Sequence, residues 1–258
     1  MATRDDILTE LGLAPTWRLR SRPESPTEVA EDVAESSVAS RSFNTSAPAT
    51  SAEDVGARRE RIARLEWRDF DRDVEQCTAC GLSRTRNRAV PGVGDRQAEW
   101  LFVGEGPGSD EDAKGEPFVG QAGRLLDNML AALGMKRGEN VYIANVVKCR
   151  PPNNRTPEPR EVEACRPYLD RQIALLRPKL IVALGKSAAT TLLENEASVA
   201  SLRGRVHRYC GVPLVVTYHP AYLLRSLPDK AKAWEDLLFA RHTLGASKGA
   251  ADAGANFR

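Results

Sequence analysis

Four short apolar runs, at residues 100–103, 141–147, 179–184 and 212–217, are each followed by loop residues and then by a stretch with helical spacing. Strands buried on both faces read as near-continuous apolar runs, and joining them in parallel requires a crossover that is usually a helix. Within 121–133 the apolar residues Leu125, Leu126, Met129, Leu130 and Leu133 recur at helical spacing, and 159–176 and 229–244 repeat the pattern. The expected fold is therefore α/β: a three-layer α/β/α arrangement around a central four-stranded, mostly parallel sheet. Ligands of such sheets gather at the carboxyl ends of the strands, which is where chemistry is sought.

At 258 residues and 41% hydrophobic, the chain has material for one sizeable core. Of the 36 residues in 21–56, 20 are Ser, Thr, Pro or Ala, Phe43 is the sole aromatic, and Leu and Ile are missing. Such a stretch buries too little surface to offset its ordering entropy and reads as a linker. The expected organisation is a disordered N-terminal extension at 1–60, a folded domain at 61–244 and a flexible Gly/Ala-rich tail at 245–258. Ile7, Leu8 and Leu11 have helical spacing, so 4–13 reads either as a short helix that docks a protein partner or as a frayed terminus. The apolar runs are too short to span a bilayer, the first residues lack the apolar stretch of a secretory signal, and a cytoplasmic location is expected.

The net charge of +2 is uneven. Residues 1–20 balance, 21–56 carry −5, and the remainder carries +7. A basic body suits a polyanionic partner such as a nucleic acid, and equally an ordinary solvated surface.

Five cysteines without an export signal point to thiolates that ligate metal rather than pair. Cys77 and Cys80 form a C-x-x-C pair, Cys149 follows 69 residues after Cys80, and Cys165 comes after 15 more intervening residues. A four-thiolate site is expected from this set, with zinc and an iron–sulfur cluster both open; the missing second C-x-x-C leans toward the cluster. Cys210 is expected to be a small buried hydrophobe.

After the first apolar run, three glycines and several carboxylates follow in 104–112, a loop that lets a ligand approach the backbone. Pro107 and the acidic run exclude the G-x-G-x-x-G dinucleotide fingerprint. Gly185-Lys186-Ser187 resembles the end of a phosphate-binding loop, but Leu180 occupies the position of the required upstream glycine. Lys186 and Ser187 then read either as a helix N-terminus that meets a DNA phosphate or as plain capping residues.

Four separated motifs carry a resemblance: Gly-Glu-Gly-Pro-Gly at 104–108, Gly-Glu-Pro-Phe-Val-Gly at 115–120, Asn-Val-Val-Lys-Cys-Arg-Pro-Pro at 145–152 and His-Pro-Ala-Tyr-Leu-Leu-Arg at 219–225. With the four cysteines, they resemble the family 4, iron–sulfur type of uracil-DNA glycosylase over about residues 76–244. Gly106 stands where that family usually has Ala. The resemblance implies a [4Fe–4S] cluster on Cys77, Cys80, Cys149 and Cys165 with a structural role. It also implies excision of uracil from single- or double-stranded DNA by a monomer, leaving an abasic site in base excision repair. A base in a duplex must be flipped out to be cleaved. By the same resemblance, Phe118 stacks on that base and Asn145 reads its edge, donating to uracil O4 and accepting from N3–H.

Further along, His219 is implied as the donor to uracil O2 as negative charge develops there. The family lacks the water-activating Asp of the best-known glycosylase class, so Glu105 is the candidate for positioning water or stabilising the sugar cation. Gly106 and Glu111 are expected to line the pocket, Glu111 near uracil C5. Leu223, Leu224 and Arg225 resemble a loop that wedges into the duplex and meets phosphate. The alternative function is a non-catalytic or covalent-trapping uracil-DNA binding protein. A related branch traps uracil through a histidine on an extended basic loop, whereas 149–157 here contains none.

Overall fold

A computed structural model of the chain describes residues 52–255. The helix expected at 4–13 and the linker up to residue 51 lie outside the described residues. The described chain begins with α1 (Ala52–Ala63), α2 (Trp67–Gln76) and a 3-10 turn at Gly81–Arg84, followed by β1 (Val93–Gly94) and β2 (Trp100–Gly104). Two helices, α3 (Ser109–Lys114) and α4 (Gln121–Ala132), lead to β3 (Val141–Asn145). A second 3-10 turn (Pro152–Asn154) and α5 (Pro159–Leu176) lead to β4 (Leu180–Leu184). The chain then runs through α6 (Lys186–Leu193), α7 (Val199–Leu202), β5 (His207–Tyr209), β6 (Val212–Thr217), α8 (Pro220–Leu223) and α9 (Asp229–Ala255).

The sheet order is β1-β3-β2-β4-β6-β5. Its four central strands are parallel, as the apolar runs require, while β1 and β5 pair antiparallel at the two edges. The sheet thus has six strands rather than the expected four. The added strands are two and three residues long, too short to leave a periodic signature.

Alternation along β2 divides the core. Leu101 and Val103 face α2, α5 and α6, packing with Phe70, Tyr168 and Ala189, whereas Trp100 and Phe102 face α4 and α9, packing with Leu130 and Leu237. Each helix offers an apolar stripe to one sheet face, which is the three-layer arrangement. The longest crossover, α5, starts where Glu158 and Glu161 form a capping box with Pro159 in the first turn, and stops at Arg177 in the left-handed conformation.

α1 spans the boundary expected at residue 60, and its Ile62 is fully buried against the core. α9 continues through the tail expected from residue 245 as far as Ala255. Among the described residues no helix is long and apolar enough to cross a membrane.

Candidate active site

The register lines up the carboxyl ends of the parallel strands. Gly104 ends β2 opposite Asn145 at the end of β3, and Leu184 of β4 pairs with Thr217 of β6. The chain leaves β2 toward β3 and returns across it to β4, so this end of the sheet is a topological switch point. A cleft of about 480 Å³ opens there, lined by Glu105, Gly106, Glu111, Phe118, Asn145, His219 and Arg225 among others. Seven residues expected from separate motifs are thereby brought to one place.

Asn145 lies at the floor, 2% exposed, and its Oδ1 is sealed without a hydrogen-bond partner. A buried acceptor left unmade costs of the order of 1–3 kcal/mol, which a ligand donor would recover. Phe118 lies beside it, also buried, at a backbone φ of 55°. Gly104 makes this juxtaposition possible, because a Cβ there would stand 2.5 Å from Asn145 Oδ1 and 2.6 Å from the Phe118 ring. An aromatic ring and an unpaired amide oxygen therefore meet at one point of the floor.

His219 enters from the end of β6, where it caps α8. Its Nδ1 accepts a hydrogen bond from the Ala221 backbone N–H at 3.1 Å, which leaves the ring hydrogen on Nε2. Burial, helped by the nearby Arg225 and opposed by Glu111, lowers its pKa to about 4. The imidazole is neutral at pH 7, a hydrogen-bond donor rather than a cation. Its ring centroid lies 5.5 Å from that of Phe118.

The carboxylates differ in freedom. Glu105 is half-buried, and burial raises its pKa while a hydrogen bond from Thr156 opposes the rise. Glu111 lines the cleft, but its Oε1 accepts from the N–H groups of Val119 and Gly120 at 2.9 and 3.1 Å, and its Oε2 from Gly108 N–H at 3.0 Å. Glu111 thus ties the loop before α3 to the loop before α4.

The expected DNA-facing residues separate. Leu223 is 1% exposed and packs inward, whereas Leu224 is 39% exposed and Arg225 lines the cleft. In a short helix, consecutive side chains point in different directions, and only one of two adjacent leucines can face the rim. Lys186 and Ser187 open α6 and line a neighbouring cavity together with Glu105 and Thr156, not the cleft itself. Arg155 is held by Glu161 through two contacts of 2.7 and 2.8 Å, so it braces the cleft wall.

Below the cleft, Cys77, Cys80, Cys149 and Cys165 line one small cavity, all as free thiols. Arg86 donates to Cys149 Sγ at 2.8 Å, Arg58 to Cys77 Sγ at 3.4 Å, and the Lys148 amide to Cys165 Sγ at 3.2 Å. Burial pushes the Cys165 thiol up to about 12 and raises Cys80 and Cys149 as well. Among the described residues no three His, Cys, Asp or Glu side chains form a group placed to hold a metal ion. Cys210 is exposed, not buried as expected, because it sits at φ 47° in the turn between β5 and β6.

Lys148 went unnoticed in the sequence. It is fully buried, and its Nζ donates to Asn145 O at 2.7 Å and to Gln172 Oε1 at 2.5 Å. Its place between Asn145 and Cys149 was the available signal.

A family model described as the uracil DNA glycosylase superfamily matches residues 91–238. The chain belongs to the uracil DNA glycosylase superfamily. Every cleft residue named above lies within the matched span. The chain is 49% identical over 164 residues to a type-4 uracil-DNA glycosylase of Archaeoglobus fulgidus, covering 60% of this chain and 82% of that protein. It is 46% identical over 172 residues to one of Pyrobaculum aerophilum, covering 64% and 87%. With one of Thermotoga maritima it shares 48% over 161 residues, covering 62% and 83%. Similarity to these type-4 uracil-DNA glycosylases therefore extends over most of their length.

Proposed function

We propose that this protein is a uracil-DNA glycosylase of the type-4 kind, which hydrolyses the N-glycosidic bond of uracil flipped out of DNA. The observation that carries the reading is the sealed, unpartnered Oδ1 of Asn145 on the cleft floor beside an aromatic ring. Uracil offers an N3–H donor to that oxygen and an O4 acceptor to the amide NH2, and cytosine inverts both. A mismatched base leaves buried groups unpaired, and sites built on such pairing discriminate steeply.

Water attacks C1′ as the C1′–N1 bond breaks and gives up a proton to solvent, and the bonding pair departs with uracil, spreading negative charge onto O2. The neutral His219 donates Nε2–H to that oxygen as charge develops, the role of an oxyanion-hole donor. Glu105 is assigned to the opposite sign: as a carboxylate it faces the oxocarbenium-like sugar and orients the water. Arg225, on the cleft rim, is assigned to a phosphate, and the exposed Leu224 to the space the base vacates.

The four thiols fit a [4Fe–4S] cluster. They are all sulfur, line one cavity, and three of them receive N–H donors that would stabilise thiolate charge. Bound there, the cluster supplies a cross-link between the segment after α2, the segment after β3 and α5, and no step of the reaction.

The test is release of free uracil from a uracil-containing oligonucleotide with enzyme well below substrate. Many turnovers per enzyme are expected. Binding without release, or a single covalent event per chain, overturns the reading.

A further inference from the structure

Phe118 stands at φ 55°, in the left-handed region that bulky residues avoid. A backbone of this kind persists only where its surroundings hold it, and such positions cluster at functional sites. The restraint on the carbonyl side comes from one side chain. Arg137 donates from Nη1 to the Pro117 carbonyl at 2.8 Å and from Nη2 to the Phe118 carbonyl at 2.7 Å. Its Nε donates to Asp127 Oδ1 at 3.0 Å, so the guanidinium is itself fixed to α4. On the amide side, Glu111 holds the next two N–H groups, those of Val119 and Gly120. Beneath, α4 passes so near that a Cβ at Gly123 would overlap the Phe118 carbonyl.

We infer that Arg137 is a positioning residue for the flipped base: its guanidinium bridges two successive carbonyls and so sets the Phe118 ring beside Asn145 and His219. This rests on the proposed uracil chemistry. A planar fork with separate donors suits two adjacent carbonyls, whereas a lysine ammonium is a single point charge. Arg137 itself does not line the cleft and touches no reacting atom. In the sequence it sits in the polar turn Lys136-Arg137-Gly138, which reads as ordinary surface.

The experiment is a double-mutant cycle in kcat/KM for uracil release, using Arg137→Gln, Phe118→Ala and the double variant. Because small misplacements near the reacting atoms are costly, Arg137→Gln is expected to lose roughly 10- to 100-fold. The double variant should lose no more than Phe118→Ala alone, within about twofold, since both act through one ring. Independent losses that multiply overturn the inference, as does an unchanged rate in Arg137→Gln. If Arg137→Gln does not fold, Asp127→Ala, which removes the oxygen that anchors the guanidinium, takes its place in the same cycle. A crystal structure of whichever variant folds is judged separately from activity. Phe118 should leave the left-handed region, and its retention at positive φ overturns the clamp. A parent protein that releases no uracil overturns the proposed function instead, leaving the clamp to that structure.

Discussion

The cleft and the thiol cavity are joined by five residues, Asn145 to Cys149, and they are finished in opposite ways. In the cleft, Asn145 keeps a buried oxygen unpaired and His219 is held with its hydrogen on Nε2. In the cavity, the sulfurs of Cys77, Cys149 and Cys165 already receive N–H donors from Arg58, Arg86 and the Lys148 amide. A site for a transient ligand holds its polar atoms preorganised and unsatisfied, at a cost in stability that binding recovers. A site for a resident group has its surroundings satisfied in advance, because the group becomes part of the fold. Lys148 links the two, with its amide on Cys165 and its ammonium on the Asn145 carbonyl.

If the cavity belongs to the fold and the cleft to the ligand, damage to each should have a different signature. Cys165→Ser is expected to abolish iron binding and visible colour, and to cost about 3–5 kcal/mol, a fall in melting temperature of roughly 10 °C. Cys210→Ser, at an exposed turn, should change neither. Elemental analysis and thermal melting check this, and zinc without iron in anaerobically prepared parent protein would remove the cluster assignment.

Asn145→Asp probes the other region. It keeps the side chain's shape and replaces the NH2 donor with an oxygen that meets uracil O4 acceptor to acceptor. Uracil excision should fall by about 2–4 kcal/mol in transition-state stabilisation, with the melting temperature little altered. Cytosine release should rise from zero as pH falls and the new carboxyl group protonates. Kinetics on matched uracil and cytosine oligonucleotides measure both, and uracil release at the parent rate would move the base-reading role elsewhere.

A smaller effect separates ligand chemistry from stability at His219. Its folded pKa of about 4 lies below the ordinary value of 6.5, so between these the unfolded chain takes up a proton that the folded protein does not. Stability should therefore fall as pH drops from about 6.5 toward 4, by up to about 3 kcal/mol from this group. In His219→Leu that contribution vanishes and the melting temperature falls less steeply with acid. An unchanged slope would mean that His219 is not held neutral by its surroundings.

The parallel core was legible because strands buried on both faces must be continuously apolar, and no neighbour alters that requirement. The cleft residues Glu105, Gly106, Phe118, Asn145 and His219 were legible from motifs placed just after those strands, where α/β sheets bind ligands. Cys77, Cys80, Cys149 and Cys165, grouped in the sequence by a C-x-x-C pair and two further cysteines in polar surroundings, line one cavity in the fold.

Less was visible where one-dimensional signals are short or identical. β1 and β5 are too brief for periodicity, and Leu223 and Leu224 are adjacent identical residues separated only by the turn of α8. Composition, periodicity and chemical type thus came from the chain itself, since each is a property of residues and their near neighbours. Which carbonyl Arg137 grips, which oxygen of Asn145 stays unpaired, and which leucine faces the rim depended on elements brought together from distant positions. Hydrogen-bond partners and burial belong to those long-range contacts, and they have no counterpart in local sequence.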